Sequence, residues 1–117
     1  MAAILLICDD PAIARLTSRV IERHGYNIMT MTDCSENISE KPDLIIFDCG
    51  MSPDEGLKKY NKIINICFPT KILWVSSDPA DEILALEAGA DDWIRKPYNV
   101  DVFLVRIKKL CKKVEKK

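Results

Sequence analysis

The stretch IIFDCGMSPDEG, residues 45–56, sets the problem for the whole chain. An apolar run ends on a lone acid, Asp48, and passes into a loop rich in turn-forming residues. Extended back to residue 43 the run reads DLIIFD, a segment of strand length that is apolar on both faces. A strand buried on both faces belongs in a parallel sheet covered by helices. The charge at its end then needs a reason, and the rest of the chain supplies one.

Strand and helix signals alternate on either side. AILLIC (3–8) and KILWVS (71–76) are further apolar runs of strand length, YNIMTM (26–31) alternates like a strand, and DWIRK (92–96) is a short one. Between them lie helical stripes. PAIARLTSRVIERHG (11–25) carries Ile13, Leu16 and Val20 at helical spacing, with Gly25 as its stop. Residues 53–67 carry Leu57, Tyr60, Ile64 and Cys67. DPADEILALEAG (78–89) opens on an Asp-Pro cap signal and closes on Gly89. The last segment, from residue 99, carries Phe103, Ile107, Leu110 and Val114. DCSENISEK (33–41) reads as one short helix or none. Five strands alternating with helices imply right-handed crossovers and a parallel α/β sheet.

The bulk numbers narrow the class. A chain of 117 residues with 48 % apolar and 30 % charged residues reads as one globular domain, residues 1–117, able to fold without staples. A formal net charge of −1 gives no bulk electrostatic case for nucleic acid or an anionic membrane. Five cysteines with no CxxC pair argue against a disulfide framework or a zinc site and fit a reducing, cytoplasmic location. No run approaches the ~18 apolar residues of a membrane span.

In open parallel sheets, ligands bind beyond the carboxyl ends of the strands. Those ends read Asp9 and Asp10, Asp48, Ser76 and Lys96, each polar and each terminating an apolar run. Two carboxylates ~4 Å apart repel by about 4 kcal/mol at an effective dielectric of ~20. Three either raise a pKa or recruit a cation. Hard oxygen donors favour Mg²⁺, and a carboxylate beside Mg²⁺ is suited to accept a phosphoryl group. Lys96 and the Ser76 hydroxyl then offer a cation and a donor for the phosphoryl oxygens.

Each residue taken alone has a plainer reading. Asp10 before Pro11 is also an ordinary helix N-cap, and Asp78 before Pro79 reads as a cap only. His24 closes the first helix, where a cation suits the dipole. Lys96 alone is more often a surface lysine, Ser76 alone a structural serine, and Trp93 a packing residue.

Taken together, LLICDDPAIARL, PDLIIFDCGMSPDEGL, ILWVSSD and LEAGADDWIRKPYNVDVFLVRI resemble the receiver domain of bacterial two-component response regulators over essentially the whole chain. The resemblance implies a flavodoxin-like, doubly wound (βα)5 fold with strand order 2-1-3-4-5. It implies a phosphorylation-dependent switch, not a turnover enzyme, that accepts a phosphoryl group onto Asp48 from a sensor histidine kinase or phosphotransfer protein. By position, Asp9, Asp10, Asp48 and the backbone carbonyl of Gly50 match the family's Mg²⁺ site, Asp10 as a direct ligand and Asp9 through water. Ser76 and Lys96 match the groups that bind the phosphoryl oxygens. Trp93 matches the aromatic switch position, and Pro97 the proline whose peptide bond is usually cis. Asp91, Asp92 and Arg106 resemble charges used in receiver homodimers, on the face built by the helix after the fourth strand, the fifth strand and the last helix. A domain of this kind touches neither nucleic acid nor membrane directly, and it can be a fragment of a longer regulator.

The chain also departs from the family pattern. Ser52 stands four residues after Asp48 where the family often has proline, and Pro53 follows it. Ser77 replaces a smaller residue after Ser76, and the spacings from Asp48 to Ser76 and on to Lys96 are slightly short. Two other readings stay open here. A small aspartyl-phosphate phosphohydrolase would show a second acid two residues after the nucleophile, where this chain has Gly50. A receiver-like interaction module would never be phosphorylated.

Overall fold

The apolar run Ala3–Cys8 forms strand β1 at the centre of a five-stranded sheet in a computed structural model that describes residues 2–32, 41–48, 53–67 and 70–111. Helix α1 (Pro11–Arg23), β2 (Asn27–Met31), β3 (Leu44–Asp48), α2 (Pro53–Cys67), β4 (Lys71–Ser76), α3 (Asp81–Glu87), β5 (Asp92–Arg95) and α4 (Val100–Cys111) follow. All strand pairs are parallel, as the apolar strand pattern implies, and the order is β2-β1-β3-β4-β5, as the family resemblance implies. Of the segment read as a short helix or none, residues 33–41, all but Lys41 lies outside the described residues.

The side-chain alternation of the central strands divides the core in two. Leu5, Ile7, Ile45, Phe47, Ile72 and Trp74 face one way, against Tyr60 and Ile63 of α2 and Ala85 of α3. Ile4, Leu6, Leu44, Ile46, Leu73, Val75 and Ile94 face the other, against Ile21 of α1 and Phe103, Ile107 and Leu110 of α4. The first face is aromatic: Phe47 and Trp74 meet edge to face with centroids 4.8 Å apart, and Tyr60 lies 5.0 Å from Trp74.

Helix ends follow local chemistry. The Asp10 side chain caps α1, Oδ1 accepting from the backbone N–H of Ala12 (2.9 Å) and Ile13 (3.3 Å). At the other end a His24 ring nitrogen bonds the Val20 carbonyl oxygen at 2.9 Å. Gly25 (φ +90°) and Gly89 (φ +106°) then leave their helices through a left-handed conformation that a side chain would strain.

Two sequence expectations shift. The buried residues of α1 are Thr17 and Ile21, with Ile13 half-buried, whereas Leu16 is 64 % exposed. Stripes offset by one residue share one periodicity, and only packing against β1 and α4 chooses between them. Asp78 does not cap α3 directly. Its Oδ1 accepts the Ala80 N–H at 2.9 Å and its carbonyl accepts the Asp81 N–H, so it stabilises a turn one step before the helix. Among the described residues no helix is long and apolar enough to cross a membrane.

Candidate functional site

Asp48 is the last residue of β3 and pairs in register with Cys8, so Asp9 and Asp10 follow directly beyond its neighbour on β1. On its other side Phe47 is registered with Trp74, which places Asp48 beside the Val75–Ser76 end of β4. The strand order thus brings three strand ends together with the centre of the acidic group between them. Asp48 is 4 % exposed because β1 and β4 flank it and the helices cover both faces.

Lys96, immediately after β5, donates from Nζ to Asp48 Oδ1 at 2.7 Å. The two meet across β4 because Lys96 shares the α1–α4 side of the sheet with Ile94, and Asp48 shares it with Ile46. The Lys96 backbone N–H bonds the Ser76 carbonyl at 2.8 Å, and the Lys96–Pro97 peptide is cis. Tyr98 follows, stacked on Phe103 at 4.4 Å, which ties the segment to α4.

The electrostatics follow from burial and crowding. Burial pushes the Asp48 carboxyl above the ordinary carboxylate range; Lys96 pulls it down, and Asp9 and Asp10 push it up again. Burial works against the Lys96 ammonium, yet its hydrogen bond and ion pair with Asp48 outweigh this, and it titrates above an ordinary lysine. Among the described residues Lys96 is the cation that pairs with Asp48, while Asp9 and Asp10 stand near enough to act on the same carboxyl.

On the other side of the sheet, the Trp93 indole donates from Nε1 to Ser76 Oγ at 2.9 Å. The strand ends therefore carry two polar pairs, Asp48–Lys96 toward α1 and α4 and Ser76–Trp93 toward α2 and α3. Asp9 and Asp10 are exposed at the rim. Gly50, expected to offer its carbonyl, lies outside the described residues, as do Cys49 and Ser52. Among the described residues, no group of three His, Cys, Asp or Glu side chains stands ready-made to hold a metal ion.

The three residues expected on a dimer face separate. Arg106 of α4 donates from Nη1 to both carboxylate oxygens of Asp92 at 2.9 Å and to the Trp93 carbonyl at 3.4 Å. Asp91 is engaged elsewhere: its Oδ2 accepts the Ile72 N–H at 2.8 Å, while its own N–H bonds the Ile72 carbonyl at 2.9 Å. Asp43, which no functional reading singled out, does the same with the first strand, accepting the Ala3 N–H at 2.8 Å and bonding the Ala3 carbonyl. An acid directly before a strand is the only trace either one leaves in the sequence.

The model of the response regulator receiver domain matches residues 4–108. The chain belongs to this family. Among curated relatives, the alkaline phosphatase synthesis transcriptional regulatory protein PhoP of Bacillus subtilis is 31 % identical over 96 % of this chain. The chain spans about half, 49 %, of that relative's length. Among solved structures, a CheY-like receiver domain protein from Methanospirillum hungatei is 27 % identical with a TM-score of 0.81, covering 95 % of this chain and 94 % of that one. A two-component response regulator from Clostridium difficile is 26 % identical with a TM-score of 0.80, covering 94 % and 95 %. In this receiver domain the doubly wound sheet and its strand order thus have close structural company.

Proposed function

We propose that this receiver domain is a phosphoacceptor switch whose acceptor is Asp48. The observation that carries the reading is the buried Asp48–Lys96 pair at the carboxyl edge of the sheet, beside Asp9 and Asp10. In the step itself Asp48 attacks the phosphorus of a phosphohistidine in a sensor histidine kinase or phosphotransfer protein. A P–O bond to Asp48 forms, the P–N bond breaks with its electron pair going to the ring nitrogen, and the imidazole leaves neutral, keeping the proton already on its other nitrogen.

Carboxylate oxygens gathered at one rim suit a divalent cation of the Mg²⁺ type. Asp48, Asp9, Asp10 and the Gly50 carbonyl would hold it, and Asp10 can do so while its Oδ1 caps α1. Bound there, Mg²⁺ would supply charge neutralisation for the phosphoryl oxygens. Lys96 releases Asp48 to meet a phosphoryl oxygen, and the Ser76 hydroxyl donates to another. The new dianion favours one arrangement of Ser76, Lys96 and Trp93 over another, a shift of populations and not a turnover activity.

The outward side of α4 carries the exposed apolar residues Val102 and Val105 beside Asp92 and Arg106. We place the homodimer contact there, with Asp92 and Arg106 in it and Asp91 outside it. The domain works in the cytoplasm, with no nucleic-acid contact of its own, either alone or within a longer regulator. The deciding experiment adds acetyl phosphate and Mg²⁺ and weighs the intact chain. One phosphoryl adduct per chain, acid-stable, base-labile and absent in Asp48→Asn, is expected. No adduct, or one that survives Asp48→Asn, overturns the reading.

A further inference from the structure

The bond between Trp93 and Ser76 goes further than packing. An indole N–H can only donate, and a serine hydroxyl has one proton and two lone pairs. With Trp93 Nε1 on one lone pair at 2.9 Å, the Ser76 proton has to point elsewhere. Its present acceptor is the Asp78 carbonyl at 3.5 Å, the outer limit of a hydrogen bond. The hydroxyl is thus firmly held as an acceptor and loosely held as a donor, and its proton is available to a stronger acceptor at the rim. A phosphoryl oxygen on Asp48 is such an acceptor, since bonds to anionic oxygen are shorter and about twice as strong as neutral ones.

Trp93 is itself held in place. Its backbone N–H donates to Asp92 Oδ1 at 2.8 Å, and Arg106 grips both Asp92 and the Trp93 carbonyl. The side chain packs on the aromatic core face that contains Trp74. Ser76 is 8 % exposed at the end of a strand whose carbonyl is bonded to the Lys96 N–H. No part of this arrangement depends on a phosphoryl group.

We infer that Trp93 is a positioning residue for the phosphoryl group: its indole N–H orients the Ser76 hydroxyl so that the hydroxyl proton is presented to a phosphoryl oxygen on Asp48. The inference rests on the phosphoacceptor reading above. A phenylalanine at position 93 keeps an aromatic ring but has no donor, so the Ser76 hydroxyl would rotate among acceptors and lose alignment.

A double-mutant cycle on the full chain tests it, reading the initial rate of adduct formation from acetyl phosphate and Mg²⁺. Trp93→Phe should slow the wild-type rate by about threefold to tenfold, the value of one aligned hydrogen bond. In a Ser76→Ala background the same change should alter the rate by less than about twofold, because the group it acts through is gone. Equal losses in both backgrounds, or no loss with Ser76 present, overturn the inference. A second measurement needs no change at position 93. The Trp93 indole N–H exchange rate, followed by NMR, should rise in Ser76→Ala while that of Trp74 stays put. An unmoved Trp93 signal overturns the inference even where Trp93→Phe fails to fold. Absence of any adduct in the wild-type chain overturns the phosphoacceptor reading, and this inference with it.

Discussion

The two rims of the sheet both carry aspartates, and they use them differently. At the amino rim, Asp43 and Asp91 each stand one residue before a strand and close a pair of hydrogen bonds with the neighbouring strand, at Ala3 and Ile72. Each of these carboxylates meets a backbone donor that would otherwise lack a partner. At the carboxyl rim, Asp48 is buried against a single lysine with Asp9 and Asp10 close enough to raise its pKa. An acid at a strand end is therefore not functional by position alone. What separates the two rims is whether the carboxylate is met by the chain's own backbone or by a side-chain cation with further acids beside it.

The largest expected effect sits at the carboxyl rim. Lys96→Ala leaves Asp48 buried without its cation, and the adduct-forming rate should fall by about a hundredfold, the scale for removing one donor to developing charge. Chemical denaturation should show a loss of about 1–3 kcal/mol, below the figure for a fully buried pair because the lysine side chain is 28 % exposed. A rate within twofold of wild type would put Lys96 on the structural side of the comparison.

Asp10 belongs to both categories, and two substitutions separate them. Asp10→Ser preserves a side-chain cap on α1, so stability should stay within about 0.5 kcal/mol of wild type while Mg²⁺ dependence of adduct formation weakens strongly. Asp10→Ala should lose the same Mg²⁺ response and a further ~1 kcal/mol of stability. If Asp10→Ser keeps a wild-type Mg²⁺ titration, the residue is only a cap.

At the amino rim the pattern should reverse. Asp43→Ala is expected to lower stability by about 1–2 kcal/mol and Asp91→Ala by about 1 kcal/mol, each by leaving a strand N–H without its acceptor. Adduct formation should be unchanged in both. Loss of the adduct in either would erase the distinction between the rims, and a change in oligomer mass for Asp91→Ala would return that residue to a dimer contact.

The smallest effect is a drift with pH. Burial and two neighbouring acids raise the Asp48 pKa, so the folded chain keeps this proton to higher pH than the unfolded chain does. The stability this adds is fully present below the ordinary carboxylate pKa and is lost as pH rises through the raised value. Asp48→Asn has no such titration. Its stability relative to wild type should therefore climb across that window, and denaturation curves that stay parallel would show the pocket to be less crowded than its geometry implies.

Alternating apolar runs and helical stripes were enough to determine a parallel sheet, because burial on both faces leaves few choices of residue along a central strand. The strand ends were legible for the same reason: Asp48 and Ser76 are the first residues at which the apolar requirement lapses, and Lys96 follows Arg95, the exposed end of β5. The side of α1 that packs was not legible, since Leu16 and Thr17 lie on stripes of equal period. Nor was the division of labour among the aspartates. Ala3 and Asp43 meet although they are 40 residues apart in the chain, and the Trp93 indole finds Ser76 only because β5 lies beside β4. A strand's pattern records which residues are buried, because burial acts on each side chain separately; the partner of a polar group is a property of two strands at once, and only their assembly into the sheet decided it.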